Sequence, residues 1–535
     1  MRRAISVPSC RLGARRRVSA MNELSNQTLM RAAASATTVS APTIRAFGKR
    51  AELSDAAHRI ASKPVSAAYS QIVLAGSVRM VEFALMIAVG LAVYVTYVVP
   101  VYGFDTYYPL AIAAIAAISV LAFQAADIYH VPAFRSPVGQ FLRLVPAWTV
   151  AFSIALAIAF FAKFEGMFSR VWLAGFYGGG LAMLIGFRLI LAGLVRHWTT
   201  EGRLDRRAVV VGGGEAGEAL VSALAGQRDS DVRLVGIFDD RGEDRSPPSC
   251  GGLEKLGSVD QLVEFARRTR IDLVIFSLPI SAESRILQML KKLWVLPVDI
   301  RLSAHSNKLR FRPRAYSYIG NLPVLDVFDK PITDWDVVMK WLFDKLVGSA
   351  MLIAAAPLML LTAMAIKFDS RGPVFFKQKR YGFNNELIEV YKFRSMFVDK
   401  CDATASKLVT KDDARVTRVG RFIRKTSLDE LPQLINVVIK GDLSLVGPRP
   451  HAVHAKAEDR LYDEAVDGYF ARHRVKPGIT GWAQVNGWRG ETNTHEKIQR
   501  RVEHDLYYIE NWSVVFDFYI LAKTPFALAK SENAY

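Results

Sequence analysis

The chain has 535 residues, 51% of them hydrophobic, with a mean hydropathy of +0.17 and a formal net charge of +19. The length admits two or three domains plus membrane segments, and the hydropathy argues against a purely soluble protein. The charge favours an anionic partner such as lipid headgroups or nucleotides, and the long apolar runs below make nucleic acid the weaker reading, so no nucleic acid is expected. Cys10, Cys250 and Cys401 are far apart and form no CxxC pair. This argues against a disulfide scaffold or zinc site and fits a reducing cytoplasmic side.

Residues 1–70 are rich in Ala, Ser and Arg with no sustained apolar period, and read as a disordered cytoplasmic tail. Being Arg-rich and acid-poor, the segment also has the composition of an organelle transit peptide. Four apolar runs follow, near 81–102, 108–126, 144–162 and 171–195. Each approaches the ~20 residues a helix needs to cross a hydrocarbon core. Positive charge gathers in the tail, in the loop with Arg135 and Arg143, and at Arg188, Arg196, Arg203, Arg206 and Arg207; the other two loops hold only Lys163 and Arg170. The positive-inside rule therefore puts both ends of a four-helix unit, 71–200, in the cytoplasm.

Residues 201–328 read as an α/β unit. Strand patterns at 208–212, 232–238 and 271–278 alternate with helical ones, which implies a parallel, Rossmann-like sheet. Gly212, Gly214 and Gly217 form a G-x-G-x-x-G turn between strand and helix, the context of a phosphate cradle, with Asp239 or Asp240 about where a ribose-binding acid would lie. The same turn occurs in α/β modules that hold no cofactor, and no Tyr-x-x-x-Lys pair accompanies it.

A fifth apolar run, 346–366, carries Pro357 at its middle and has basic residues on both sides: Lys340 and Lys345 before it; Lys367, Arg371, Lys377, Lys379 and Arg380 after it. A simple span would break the charge rule. A re-entrant helix near 336–367, kinked at Pro357, would obey it. Between residues 367 and 425 there are 15 Lys+Arg against 7 Asp+Glu, a local excess of +8 beside the membrane.

The last unit, 329–535, holds the chemistry. Asp429-Glu430 follows a basic run with Arg424. Ser427-x-x-Glu430 has the form of a capping box, with Asp429 in a helix's first turn. That explains one acid but not the cations behind the pair. A carboxylate can instead attack phosphorus, which needs an exposed anion and cations to offset phosphate charge, and Mg²⁺ would bind carboxylate and phosphate oxygens together. Lys392-Phe-Arg394-Ser-Met396 reads as a strand with two cations on one face, or as a guarded strand edge. Gly447-Pro448-Arg449-Pro450 is a rigid loop holding one guanidinium outward, or simply a Pro-rich turn. Lys476-Pro-Gly478-Ile-Thr-Gly481-Trp482 is another constrained loop, whose indole suits a nucleotide base, the membrane interface or core packing. His451, His454, His473, His495 and His504 show no metal-ligand spacing.

Together and in this order, Lys392–Met396, Thr426-Ser-Leu-Asp429-Glu430-Leu-Pro-Gln-Leu434, Gly-Asp442-Leu-Ser-Leu-Val-Gly-Pro-Arg-Pro450 and Lys-Pro-Gly478-Ile-Thr-Gly-Trp482 strongly resemble the bacterial sugar transferases called monotopic phosphoglycosyl transferases. The upstream helices and α/β unit resemble the long form, typified by undecaprenyl-phosphate glucose phosphotransferases. The resemblance implies transfer of hexose-1-phosphate, glucose before galactose, from a UDP-sugar to undecaprenyl phosphate with release of UMP. This is the first membrane step of exopolysaccharide, capsule or O-antigen synthesis. It implies Asp429 as nucleophile, Glu430 as Mg²⁺ ligand or proton handler, and Arg424 facing the diphosphate. Lys392 and Arg394 would shape the pocket, Pro448, Arg449 and Pro450 the nucleotide loop, and Pro357 the break in the re-entrant helix. It implies a multi-pass protein of the bacterial inner membrane with its catalytic domain on the cytoplasmic face, in contact with membrane lipids and compatible with a homodimer. The rival readings are a membrane-anchored nucleotide-sugar dehydratase or epimerase, which needs a nicotinamide cofactor and a catalytic Tyr/Lys arrangement, and a scaffold with a dead transferase domain.

Overall fold

The computed structural model describes residues 52–163, 168–227, 231–242, 248–278, 282–303, 317–319, 322–398, 413–450, 456–457, 460–461, 469–488 and 494–530. Cys10, Cys401, His451 and His454 lie outside this set, and Cys250 is buried.

Helix α1, Asp55–Ala61, corrects the expectation of a tail running to residue 70. Ser54 caps it, accepting from Ala57 N, and the Ser54 hydroxyl also donates to Leu256 O at 2.6 Å. Leu53 and Ala57 enter the core of the α/β unit. Two small apolar residues in a polar stretch gave no periodic signal, because the partner surface lies some two hundred residues away.

Four apolar helices follow: α2, Gln71–Val93, continued to Tyr102 through a π turn; α3, Tyr107–Ala125; α4, Pro137–Phe161; and α5, Arg170–Thr200. Their shared core is aromatic, with Tyr94, Tyr108, Phe123, Trp148, Trp172 and Phe176 buried together. Trp148 fits because Gly180 faces it; a Cβ there would come within 2.7 Å of the indole. The expectation that Arg188 belongs to the basic flank is corrected. It is buried inside the bundle, paired with Glu82 (Arg188 Nη2 to Glu82 Oε2, 2.9 Å) and packed over Tyr129 and Phe134. A guanidinium among apolar helices needs such a partner, since an unpaired charge there is costly.

The α/β unit is an eight-stranded mixed sheet. Its strands are β1, Arg206–Val211; β2, Val232–Phe238; β3, Ser249–Cys250; β4, Leu253–Gly257; β5, Leu273–Phe276; β6, Asp299–Ser303; β7, Ser317–Ile319; and β8, Leu322–Phe328. The order is β3-β4-β2-β1-β5-β6-β8-β7. The five central strands are parallel, whereas β3, β7 and β8 add antiparallel edges. Helices α6, Gly214–Ala225; α7, Val259–Arg268; and α8, Glu283–Leu293, cover it. The apolar run Ala208–Val211 of β1 and the wholly apolar β5 suit strands buried on both faces.

Helix α9, Asp334–Asp369, is 36 residues long and stays helical through Pro357. Any bend there lies within one helix; the sequence expectation of a break is met by no interruption of the helix itself. Among the described residues, five helices are long and apolar enough to cross a membrane: α2 to α5 and α9. Ser70 Oγ donates to Asp334, and Trp335 packs on Gly76, which joins α9 to α2.

The C-terminal unit packs around the two ends of α9. It contains the hairpin β9, Phe375–Tyr381, and β10, Leu387–Phe393; helix α10, Arg418–Lys425; the parallel pair β11, Ser444–Val446, and β12, Gly478–Thr480; and helices α11, His495–Glu510, and α12, Val514–Lys530. Phe343 joins a core with Leu434, Val437, Leu445, Tyr508 and Ile520, while Ile366, at the other end of α9, joins Phe393 and Ile423.

Candidate active site

Strand alternation builds one wall. In the β9–β10 hairpin, Gln378 pairs with Val390, Arg380 with Ile388 and Lys392 with Phe376. Residues opposite one another share a face, so Arg380 and Lys392 emerge on the same side. Phe375 and Phe393 stack on the other side, 5.6 Å between centroids.

The second wall is the turn after α10. Thr417 caps that helix by accepting from Gly420 N at 2.9 Å. Gly420 presses against the chain beyond β10; a Cβ would sit 2.0 Å from Ser395 O. Ser427 then adopts φ 59, and Leu428–Glu430 forms one 3-10 turn. The capping box does not form. Ser427 supplies no side-chain cap, and the Glu430 carboxylate turns away to two cations. Buried Asn436 ties this wall to the hairpin, donating to Glu389 O at 2.7 Å and accepting from Tyr391 N at 2.9 Å.

The third wall is the loop Gly447–Pro450. Gly447 N donates to Thr480 O and Gly478 N to Pro448 O, a backbone approach too close for a Cβ at Gly447 or Gly478. Buried Arg472, paired with Asp505 at 2.6 Å, donates to Arg449 O at 2.6 Å. Arg380 donates to Pro450 O at 2.5 Å. Arg449 is thereby aimed at Glu430.

Where the walls meet, Glu430 Oε1 accepts from Lys392 Nζ at 2.9 Å and from Arg449 Nη2. Arg380, Val390, Lys392, Gln433, Arg449 and Pro450 line a small open cleft. Three cations against one paired carboxylate leave this cleft positive before Asp429 is counted. Burial alone would raise the Glu430 pKa, but Arg449 and Lys392 overcome it and hold the carboxylate well below its usual range. Asp429 is half-buried and makes no hydrogen bond among the described residues. Burial, and next to it the charge of Glu430, pushes its pKa up to about 6, against the pull of Lys392, Arg424 and Arg449. Burial and the facing Arg449 lower the Arg380 guanidinium to about 10, with Glu430 opposing.

The structure thus brings together Lys392, Asp429, Glu430, Arg449 and Pro450, with Arg424 near Asp429 in the last turn of α10. Arg394 is elsewhere, and its expected place in the pocket is corrected. It lies one residue beyond β10, so strand alternation no longer governs it, and it donates to Ser370 O at 2.8 Å and Arg371 O at 2.7 Å, closing the end of α9. Trp482 is half-buried at the edge of the C-terminal core, against Phe516 and the exposed rings of Tyr507 and Tyr519, with Lys523 over it. Sequence reading missed Arg380, Asn436 and Arg472. Only Arg380 left a signal, its parity with Gln378 in a strand of alternating character.

The glycine turn of the α/β unit is closed on itself. Gly212 and Gly214 have φ 104 and 74, and a Cβ on Gly217 would meet Gly212 O at 2.7 Å. Asp239 accepts from Gly213 N at 2.7 Å and from the Arg241 guanidinium, which also donates to Gly213 O at 2.8 Å.

Comparison with known proteins finds two families along the chain. Residues 335–531 match the family described as bacterial sugar transferase, and residues 124–304 match the one described as CoA-binding domain. The chain is 33% identical over 495 residues to the UDP-glucose:undecaprenyl-phosphate glucose-1-phosphate transferase of Xanthomonas campestris pv. campestris, covering 91% of this chain and 99% of that protein. It is 36% identical to the Escherichia coli (strain K12) protein of the same name, over 74% of this chain and 83% of that one. It is 40% identical to the undecaprenyl-phosphate glucose phosphotransferase of Komagataeibacter xylinus over 63% of this chain, spanning 62% of that relative.

Proposed function

From the premise that the chain belongs to the bacterial sugar transferase family, we propose that it transfers glucose-1-phosphate from UDP-glucose to undecaprenyl phosphate through a phosphosugar ester on Asp429. The observation that carries this reading is the pairing of opposites in the cleft. Glu430 is clamped and ionised by Lys392 and Arg449, while Asp429 beside it has charge around it but no hydrogen bond to hold it.

Arg380, Lys392 and Arg449 grip the donor's phosphates, Arg449 by hydrogen bonds from its planar guanidinium. An Asp429 oxygen bonds to the phosphorus that bears the sugar, the bond from that phosphorus to the bridging oxygen breaks, and UMP leaves with the electron pair. A phosphate oxygen of the lipid then attacks the same phosphorus, the acyl-phosphate bond breaks, and Asp429 returns as a carboxylate. Two anionic substrates react in turn and never share the cleft.

The donor set suits Mg²⁺. Among the described residues no cluster of three or more His, Cys, Asp or Glu cages a metal, but Mg²⁺ in phosphoryl sites takes one or two carboxylates and completes its shell with phosphate and water. Held by Asp429 and Glu430, the ion would supply charge neutralisation to the diphosphate.

The membrane arrangement follows the same logic. Four helices span, and α9 enters the bilayer and returns. Two observations support its re-entrant course. Near its start, Asp344 accepts from Ser444 Oγ and Leu445 N and Lys345 donates to Val437 O; at its end, Asp369 accepts from Val419 N. Both ends thus bond to the same polar unit, whereas a spanning helix would separate them by a hydrocarbon layer of ~30 Å. Between them Ile353, Leu360 and Leu361 are exposed and apolar. In this reading the catalytic unit lies on the cytoplasmic face of the inner membrane, where UDP-sugar and lipid phosphate both reach it.

The reading is tested by incubating membranes that contain the protein with undecaprenyl phosphate and a panel of UDP-sugars, then weighing the lipid product. Undecaprenyl-diphosphate-glucose is expected from UDP-glucose; no lipid product from any UDP-sugar would refute it. Cysteine labelling at both ends of α9 from one side only would support the re-entrant course.

A further inference from the structure

A second concentration of positive charge lies in the α/β unit, where the chain leaves α5. Arg207 in β1 stands directly opposite Arg233 in β2. Both line an open recess of about 90 Å³ bounded by Pro64, Val65, Ser66, Glu201 and Gly202. Arg270 builds its wall, donating to Ser66 O at 2.7 Å and Asp205 O at 2.5 Å.

Two of the acids nearby are already engaged, while the Asp205 carboxylate, which shares the Gly202 edge with Arg233, bonds to no described residue. Glu201 pairs with Arg203 and with His197 at 3.1 Å. Asp272 takes Arg270 at 2.8 Å, Lys330 at 3.2 Å and the backbone N–H of Arg207 at 3.0 Å. Arg207 spends only Nε, on Arg270 O at 3.0 Å; its two terminal amino groups have no hydrogen bond among the described residues. Arg233 has neither a hydrogen bond nor an ion pair among them. Like charges directly opposite on adjacent strands repel. Burial, then Arg270 and Arg233, lowers the Arg207 pKa below the ordinary guanidinium value, with Asp272 opposing. With Arg207 half-buried and Arg233 exposed, this polar recess presents open guanidinium donors from two adjacent strands, which suits an anion with several acceptor oxygens.

We propose that this recess binds a phosphate group, carried by a small soluble ester or by a lipid headgroup, with Arg207 and Arg233 as its two grips. Length argues for the soluble source. Helix α5 has 31 residues, or ~46 Å at 1.5 Å per residue. With Arg170 at one boundary of a ~30 Å hydrocarbon layer, the recess end stands ~16 Å beyond the other, past a headgroup layer of ~5–7 Å. The site is separate from the cleft at Glu430 and does not depend on the transfer mechanism.

The test uses the full chain in nanodiscs of phosphatidylcholine, with inorganic pyrophosphate as the probe at constant ionic strength and the melting temperature as the readout. Parent and Arg233→Gln proteins are compared; the cleft at Glu430 is the same in both, so its own uptake of the probe cancels. Without pyrophosphate, Arg233→Gln is expected to melt above the parent, because the repulsion is gone. With saturating pyrophosphate the order reverses, and the apparent affinity falls at least tenfold in the variant. In a second arm, phosphatidylglycerol in the nanodisc replaces pyrophosphate; a reversal there and not with pyrophosphate assigns the phosphate to a lipid. A shift of the same sign and size in all conditions, as a merely structural arginine would give, overturns the proposal.

Discussion

Two turns in this protein set carboxylates against arginine, and they end in opposite states. At the glycine turn, both Asp239 oxygens are bonded, to Gly213 N and to Arg241, and these contacts outweigh burial and hold the pKa down to about 2. At the turn after α10, Glu430 takes the cations and Asp429 is left with charge around it but no bond, its pKa raised to about 6. The first arrangement is what a stable turn wants. The second sacrifices stability to keep one carboxylate free, which is the pattern of a working nucleophile.

The comparison breaks most visibly at Asp429. Asp429→Asn should lower transfer by about a thousandfold or more, as loss of a covalent nucleophile does, while membrane insertion and folding persist. Lipid-product assays beside a melting curve separate the two. Next, Arg449→Gln should cost about a hundredfold in rate, the scale of one lost charge-stabilising donor. It should also move the acid limb of the rate profile upward, because one cation that favours ionised Asp429 is gone. In the parent protein, UMP release should rise with pH through about 6 as Asp429 ionises; a rate flat between pH 5 and 7 would contradict the assignment.

Asp239→Asn should act on stability instead, by about 2 kcal/mol, since it breaks a mostly buried charge pair. Because the folded pKa is depressed, that stabilisation is present above pH ~4 and is lost as the pH falls towards 2. Asp429 has the reverse sign. Its raised pKa makes the native state hold a proton between about 4 and 6, so its contribution turns unfavourable as pH rises through that window. Asp429→Asn should therefore melt with the parent below pH 4 and above it at pH 7. The gain should be about 1–2 kcal/mol, discounted from the full shift because the side chain is half-exposed. Melting curves of both variants across that pH range read the two signs side by side.

Much of this was legible in the sequence, for identifiable reasons. Apolar runs of ~20 residues announce membrane helices by composition, and β1 ends in the apolar run Ala208–Val211. The Asp429-Glu430 pair stood out because a basic run with Arg424 precedes it, although the cations that bond Glu430, Lys392 and Arg449, come from 38 and 19 residues away. What escaped depends on distance or parity. Arg472 reaches Arg449 across a fold, and Leu53 and Ala57 find their core two hundred residues on. Arg380 looked like one more flanking charge until the hairpin register turned it into the cleft, and Arg394 looked like a pocket residue until the strand ended before it. The capping box was a sound local pattern, defeated by Ser427 taking a left-handed backbone and by the stronger pull of two cations on Glu430.

The most direct test mixes purified protein with UDP-glucose alone and measures UMP together with the mass of the peptide that contains Asp429. The account requires a burst of UMP stoichiometric with enzyme and a phosphoglucose adduct on Asp429, discharged when undecaprenyl phosphate is added. UMP release that strictly awaits the lipid, with an unmodified peptide, would contradict it.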